Sequence, residues 1–410
     1  MTMAPRKQTD MGLEGMRGMA AFFVALSHVF YLNILSPQIQ LNPLLRSVEG
    51  GQAGVLIFFV LSGYVITWTN AGIFSGQAAL RYVKRRWVRI YPIYFLAMLV
   101  TLAAMRFAGL TETRRVIVGS FLCLQNFNGY FGPGLNPPRA NNALWSLNYE
   151  VLYYLVFLLL WRYRPRLSIV FVPAAVAGVL GWFAPRFMPL FISSYACGWI
   201  LWATGWWLAT QPRIEPGKEK PTPLASWILL IYAGHNINGF ARISNALHFY
   251  CTDSGMVSLA NLGLLPAILL ALAAVARREL PHRKWIVFAA WAICLVPISG
   301  MIATGRLLSY APWIDGTVAV CLAALLLGWR SVSWLRPFAW LGGISYAFYV
   351  LHFPLLYVFK YAPFPQTTVF GFVARLVSWA AATMALSWLL EKRLQPWVKK
   401  LFLGAPKTPD

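Results

Sequence analysis

Charge is scarce in this chain. Only 11% of its 410 residues are charged and only 12 are acidic, against roughly a quarter charged in soluble domains, which excludes an ordinary solvated globule. Cysteine is also sparse. The five, Cys123, Cys197, Cys251, Cys294 and Cys321, lie far apart with no C-x-x-C spacing, which excludes a disulfide framework and a zinc or dithiol motif, so no metal is expected. No internal repeat, coiled-coil heptad or low-complexity tract is present. A secretory leader is not expected either: the first apolar run follows Arg6 and Lys7, but it contains Arg17 and His28 and leads into "YLNILSPQIQ", which lacks a small-x-small cleavage site.

Apolar sequence is abundant. The chain is 59% hydrophobic and 16% aromatic, with a mean hydropathy of +0.59, the composition of a polytopic membrane protein. Apolar runs near 16–34, 51–69, 89–108, 144–161, 167–183, 190–209, 224–240, 257–276, 285–304, 312–329, 338–359 and 369–390 have the length of membrane spans; 224–240 is the weakest, because "GHNING" is polar. The net charge of +23 falls in short clusters between these runs, so no nucleic-acid partner is expected, and membrane lipids are the surroundings. With the N-terminus in the cytoplasm, Arg81 to Arg89, Arg162 to Arg166, Arg213 to Lys220, Arg277 to Lys284, Arg330 to Arg336 and Lys392 to Lys400 all fall on the inner side, the positive-inside pattern. The segment 109–143, with Arg114, Arg115 and Arg139, is a mild exception. The expected fold is all-α, with ten to twelve transmembrane helices and both termini cytoplasmic. Residues 1–12 form an N-terminal segment, 13–392 one membrane domain and 393–410 a cytoplasmic tail.

Several polar groups sit where a simple span would have none. Arg17 and His28 are eleven residues apart, about three turns, so they share a helical face roughly 16 Å apart along the axis. If Arg17 is at the cytoplasmic edge, His28 lies past the middle of the membrane, a depth at which ionisable groups line protein-enclosed or watery cavities. "FFVLSGYVI" centres Ser62 and Gly63 in a span. "RYVKRRWVRIYPIY" puts Tyr82, Arg86 and Arg89 on one side of a helix at a cytoplasmic entrance, with Lys84 and Arg85 beside them. Such a run anchors topology, and arginine forks also hold phosphates. "NALWSLNYEVLYYL" places Glu150 near the outer start of a span, one turn after Trp145 and Ser146. "GGISYAFYVLHFP" sets Ser345, Tyr349 and His352 on one face, with His352 at the depth inferred for His28.

Together these motifs, in this order, resemble the acyltransferase-3 family of integral membrane O-acyltransferases, which decorate polysaccharides, lipid-linked sugars and some secondary metabolites. "LEGMRGMAAFFVALSH" is similar to the family's first-helix signature, an Arg followed about ten residues later by the His taken as catalytic; they map onto Arg17 and His28. The other motifs carry Ser62, Arg86, Arg89, Trp145, Ser146, Glu150, Ser345, Tyr349 and His352. In "GVLIFF" the chain has Leu56 where many members have an acidic or polar residue. The resemblance implies about ten spans and an acyl-CoA donor, most commonly acetyl-CoA, with a carbohydrate or lipid-linked glycan as acceptor, in the bacterial cytoplasmic (inner) membrane.

Acyl transfer to a hydroxyl needs a base for the alcohol proton and positive or hydrogen-bonding groups where charge develops. The expected catalytic set is His28 as base with Arg17 and Glu150. Arg85, Arg86, Arg89, Tyr82 and Ser62 are expected on the donor, and His352, Trp145, Ser146, Tyr349 and Ser345 on the acceptor approach, Glu150 and His352 lying far from the basic entrance. A transporter or flippase using Arg, His and Glu as coupling groups is the alternative. The topology has a direct check. Single-cysteine variants at residues 81–89 or near the C-terminus should resist a membrane-impermeant thiol reagent applied to intact cells; labelling there would reverse the assigned orientation.

Overall fold

The computed structural model describes residues 11–30, 32–35, 50–126, 135–184, 188, 190–215, 217–218, 221–246 and 257–404. Over these it is helical, and the described residues form no strand, only an isolated bridge between Arg213 and Arg278. The α-helices are α1 (Met11–Phe30), α2 (Gly51–Thr69), α3 (Gly76–Phe107), α4 (Arg114–Phe121), α5 (Trp145–Tyr163), α6 (Leu167–Phe183), α7 (Leu190–Thr210) and α8 (Leu224–Ile237). They continue with α9 (Gly239–Ala246), α10 (Leu265–Ala276), α11 (Arg283–Ala303), α12 (Ala311–Leu325), α13 (Arg336–Gly342), α14 (Ser345–Lys360), α15 (Val369–Leu389) and α16 (Gln395–Leu403).

Among the described residues, seven helical stretches are long and apolar enough to cross a membrane by length and composition, or eight if Ser333–Gly342 and Ser345–Lys360 are one broken span. The ten to twelve expected from hydropathy thus divide. α6 and α8 are apolar but shorter, and α8 stops where "GHNING" turns the chain, with Asn238 left-handed at φ 49°. The run 16–34 is helical only to Phe30, and α1, which carries Glu14, Arg17 and His28, is not among the seven. The run 338–359 is interrupted between Gly342 and Ser345. At the C-terminal end, helix continues past 392 through a π turn, Leu390–Leu394, into α16.

The chain forms two compact units. The first holds residues up to Ser27, Pro43–Asn70 and Phe171–Gly343; the second holds His28–Asn42, Ala71–Val170 and Ile344–Asp410. In the first unit, helices approach closely through glycine. A Cβ on Gly63 of α2 would lie 1.9 Å from the Trp202 carbonyl oxygen of α7, and one on Gly205 of α7 would lie 1.9 Å from that of Val60. This reciprocal crossing is the small-residue packing that joins helices in lipid. Trp202 Nε1 donates to Ser62 Oγ across it (3.3 Å).

In the second unit, prolines inside helices create the constraint. Pro92 lacks the N–H that would bond Val88, and Pro354 the one that would bond Val350. Val88 and Val350 are buried, so each freed carbonyl needs another donor within the protein. Gln395 Nε2 of α16 reaches Val88 O at 2.8 Å. Asn141 Nδ2, in the 3-10 turn Arg139–Leu144, reaches Val350 O and Thr101 Oγ1, both at 3.0 Å. The two amides thereby fix α16 to α3, and the 139–144 turn to α3 and α14.

The glycine crossing has a paired test. Gly205→Ala should lower stability by about 1–3 kcal/mol through forced overpacking, read as a lower melting midpoint in detergent. Gly300→Ala in α11, where nothing lies within 4 Å of the added Cβ, should not. Equal midpoints for both variants and the parent would contradict the close approach.

Candidate functional site

Helix α14 organises the second unit's polar groups. Its periodicity puts Ser345, Tyr349 and His352 along one face, all buried. Each later residue meets a different partner.

His352, fully buried at 0% exposure, meets His28 at the end of α1. His28 Nδ1 and His352 Nε2 are 2.8 Å apart, the rings nearly coplanar at 9°, and Phe353 stands edge-on to His28 at 4.9 Å. The other nitrogen of His352, Nδ1, lies 2.7 Å from the Tyr349 carbonyl oxygen. A carbonyl can only accept, so Nδ1 carries the proton. In a neutral ring, Nε2 then has a lone pair and must accept from His28 Nδ1–H. The consequence is a fixed tautomer for His28, with its lone pair on Nε2. No described residue bonds that nitrogen, and His28 is only partly buried. Trp379 Nε1 donates to the His352 carbonyl (2.9 Å), fixing α15 against this turn.

One turn earlier, Tyr349 Oη donates to the Ala143 carbonyl (2.7 Å). Its single proton is thereby committed, so Ser146 Oγ, at 2.7 Å, is the donor to Tyr349. Ser146 and Tyr349 bind each other and tie α5 to α14. Trp145 is buried and packs edge-on to Tyr149 at 5.6 Å. Ser345, 1% exposed, begins the helix.

Nearer the start of α14 lies an arginine–tyrosine cluster. Arg89 pairs with Glu391 of the π turn, and its guanidinium lies 5.6 Å over the Tyr346 ring; Tyr346 Oη donates to the Ile90 carbonyl (2.9 Å). Arg86 lies over Tyr82 (5.6 Å) and Tyr154 (5.8 Å), and its Nε is buried without a hydrogen-bond partner among the described residues. Tyr82 Oη donates to the Tyr154 carbonyl (3.1 Å), and Tyr154 Oη donates to Glu150. Arg85 is exposed. From Tyr346, which Arg89 covers, to His352 is six residues, about 9 Å along the helix.

This geometry redraws several expectations. Glu150 is not far from the basic entrance: through Tyr154 it joins the Arg86 cluster. His352 is a hydrogen-bond partner of His28. Arg17 and Ser62 belong to the first unit; Arg17 pairs with Glu14 (2.7 Å), and Ser62 accepts from Trp202. Eleven of the thirteen expected residues therefore fall in the second unit. Glu391, Tyr346 and Tyr154 were missed. Glu391 had a signal, a lone acid in "WLLEKRLQPW" among only 12 acids in the chain; the tyrosines were hidden among 18. Among the described residues no group of three or more His, Cys, Asp or Glu side chains is placed to hold a metal ion.

Comparison with known proteins agrees with the site's chemistry. A 169-residue stretch is 27% identical to acyltransferase MdmB of Streptomyces mycarofaciens, covering 39% of this chain and 41% of that protein. The chain thus spans less than half the length of this curated relative. No solved structure matches. The family model described as an acyltransferase domain matches residues 11–392, and on that near-complete match the chain belongs to the acyltransferase-3 family.

Proposed function

We propose that the protein moves an acyl group, most simply acetyl, from cytoplasmic acyl-CoA to a hydroxyl of a carbohydrate or lipid-linked glycan at the outer side of a bacterial inner membrane. The observation that carries this reading is the hydrogen-bond chain from the Tyr349 carbonyl through His352 to His28, because it leaves His28 Nε2 as an oriented base on a partly open side chain. In the step, Nε2 takes the acceptor hydroxyl proton as the oxygen attacks the thioester carbonyl. The new C–O bond forms, the C–S bond breaks, and the proton passes from His28 to the leaving CoA sulfur.

Arg86 and Arg85 are the groups for the donor's phosphates, since Arg89 is paired with Glu391 and serves to hold α3 against the π turn. A pantetheine arm, on the order of 15–20 Å, is long beside the roughly 9 Å rise of α14 from Tyr346, which Arg89 covers, to His352, and Arg86 lies one turn before Arg89 on α3. Glu150, through Tyr154, orients the donor end. Family membership supports transfer chemistry over the solute-carrier alternative. The glycan acceptor rests on the resemblance of the motif set.

His28→Ala should cut acyl transfer by about 10²–10⁴-fold while acyl-CoA binding stays near normal. Arg86→Ala should weaken donor binding by about 1.5–3 kcal/mol, the loss of a charged hydrogen bond. The checks are radiolabelled acyl transfer to membrane glycans and calorimetry with the donor in detergent. Wild-type transfer by a folded His28→Ala protein would remove the base, and unchanged donor affinity in Arg86→Ala would return the arginine cluster to a topology anchor.

A further inference from the structure

The first unit carries a cleft of about 780 Å³ whose residues the acyl-transfer reading does not use. Five arginines line it, Arg213, Arg277, Arg278, Arg283 and Arg330. They come from three connections: Arg213 follows α7, Arg277, Arg278 and Arg283 lie between α10 and the first turn of α11, and Arg330 follows α12. Leu270, Ala273 and Ala274 of α10 supply an apolar wall.

The cleft is held by more than chance proximity of loops. Arg213 and Arg278 form an antiparallel bridge, flanked by Ile214 N to Arg277 O (2.8 Å) and Glu279 N to Pro212 O (3.0 Å). This small ladder fastens the chain after α7 to the left-handed turn at Arg277, φ 52°. Arg278 is fixed further: Nε donates to Tyr64 Oη (3.1 Å) and Nη1 to the Gln211 carbonyl (2.6 Å). A guanidinium has five N–H donors, so three remain after these two bonds. Trp68 lies under Arg213 at 6.0 Å.

Its charges are not balanced from within. Of the lining carboxylates, Glu215 is taken by Lys218 (2.7 Å), and Glu279 is left against five arginines. Arg213, Arg283 and Arg330 make no side-chain hydrogen bond or ion pair among the described residues. α11 opens with Arg283 and Lys284 and has no acid in its first turn. Cations there add to the positive end of the helix dipole, where a protein serving only its own stability places carboxylates. Arg278, held in place with three donors left, and the uncompensated Arg213, Arg283 and Arg330 share one concavity and match a phosphate group, which guanidinium forks bind bidentately.

We propose that this cleft binds a phosphate-bearing anion. Two sources share that chemistry: the headgroup of an anionic lipid, for which basic pockets between helix ends are suited, and the phosphates of a soluble nucleotide. The site is independent of the histidine pair, and its test does not read acyl transfer.

The full-length protein in neutral detergent is melted with increasing phosphatidylglycerol, phosphatidylcholine, ADP or inorganic pyrophosphate. The Arg283→Gln/Arg330→Gln protein is compared with a charge-matched control, Arg166→Gln/Lys400→Gln, and Arg330→Gln alone covers failure of the double variant to fold. At least one phosphate probe should raise the midpoint where phosphatidylcholine does not, with an apparent affinity that falls on adding salt. That affinity should drop at least tenfold in the cleft double variant, measurably in Arg330→Gln, and remain unchanged in the control. A response to phosphatidylglycerol alone identifies a lipid headgroup; a response to ADP or pyrophosphate identifies a soluble phosphate. No response to any phosphate probe, a retained response in the cleft variants, or equal loss in the control would overturn the proposal.

Discussion

A carbonyl oxygen buried away from water must find its donor inside the protein, and the second unit depends on how three of them are satisfied. Val88 and Val350 lose their helical donors to Pro92 and Pro354 and receive side-chain amides from Gln395 and Asn141 instead. Tyr349 receives the imidazole N–H of His352. The first two bonds lock the scaffold around α3 and α14. In the proposed mechanism the third sets the chemistry, because the donor that satisfies the carbonyl is the ring that touches His28. Structure and reactivity are joined in one hydrogen-bond chain, and the same low-water environment that makes an unmet carbonyl costly keeps that chain in one arrangement.

Seen this way, the motif residues divide by task. Ser146 and Tyr349 exhaust their donors on each other and on Ala143, so they brace α5 against α14. Arg89 is neutralised by Glu391 and braces α3 against the π turn. Arg86 differs: it is sandwiched by two tyrosines, with an Nε that no described residue takes, and so retains capacity for an anionic ligand. His28 differs in the same sense, partly open with one nitrogen uncommitted. His28 meets α14 at His352, whereas Arg86 lies on α3 one turn before Arg89, the arginine that covers Tyr346 of α14.

Much of this was legible in the sequence, and the limits have physical causes. Helical periodicity places Tyr82, Arg86 and Arg89 on one side and Ser345, Tyr349 and His352 on another, since a period of 3.6 is written in residue spacing. Depth counting put His28 and His352 level in the membrane, and the rings meet. Periodicity names a face but never the partner across it. Thus Glu391, 302 positions from Arg89, went unnoticed, and Glu150 was assigned away from the arginines when the Tyr154 hydroxyl draws it to them. The expected span count of ten to twelve is not confirmed among the described residues, for a different reason. A hydropathy window cannot see the break between Gly342 and Ser345, nor that the asparagines of "GHNING" end α8 after 14 residues.

The central claim is that His352 acts on His28 by accepting its Nδ1 proton, and the most direct measurement compares single-turnover acyl transfer in His352→Gln and His352→Leu at saturating donor. A glutamine amide oxygen can still accept from Nδ1–H; leucine fills similar space and cannot. The account predicts that His352→Gln retains most of the transfer rate, and that His352→Leu loses about 10²-fold or more, the scale of a mis-set general base, with donor affinity unchanged in both. Equal transfer rates in the two folded variants would contradict it.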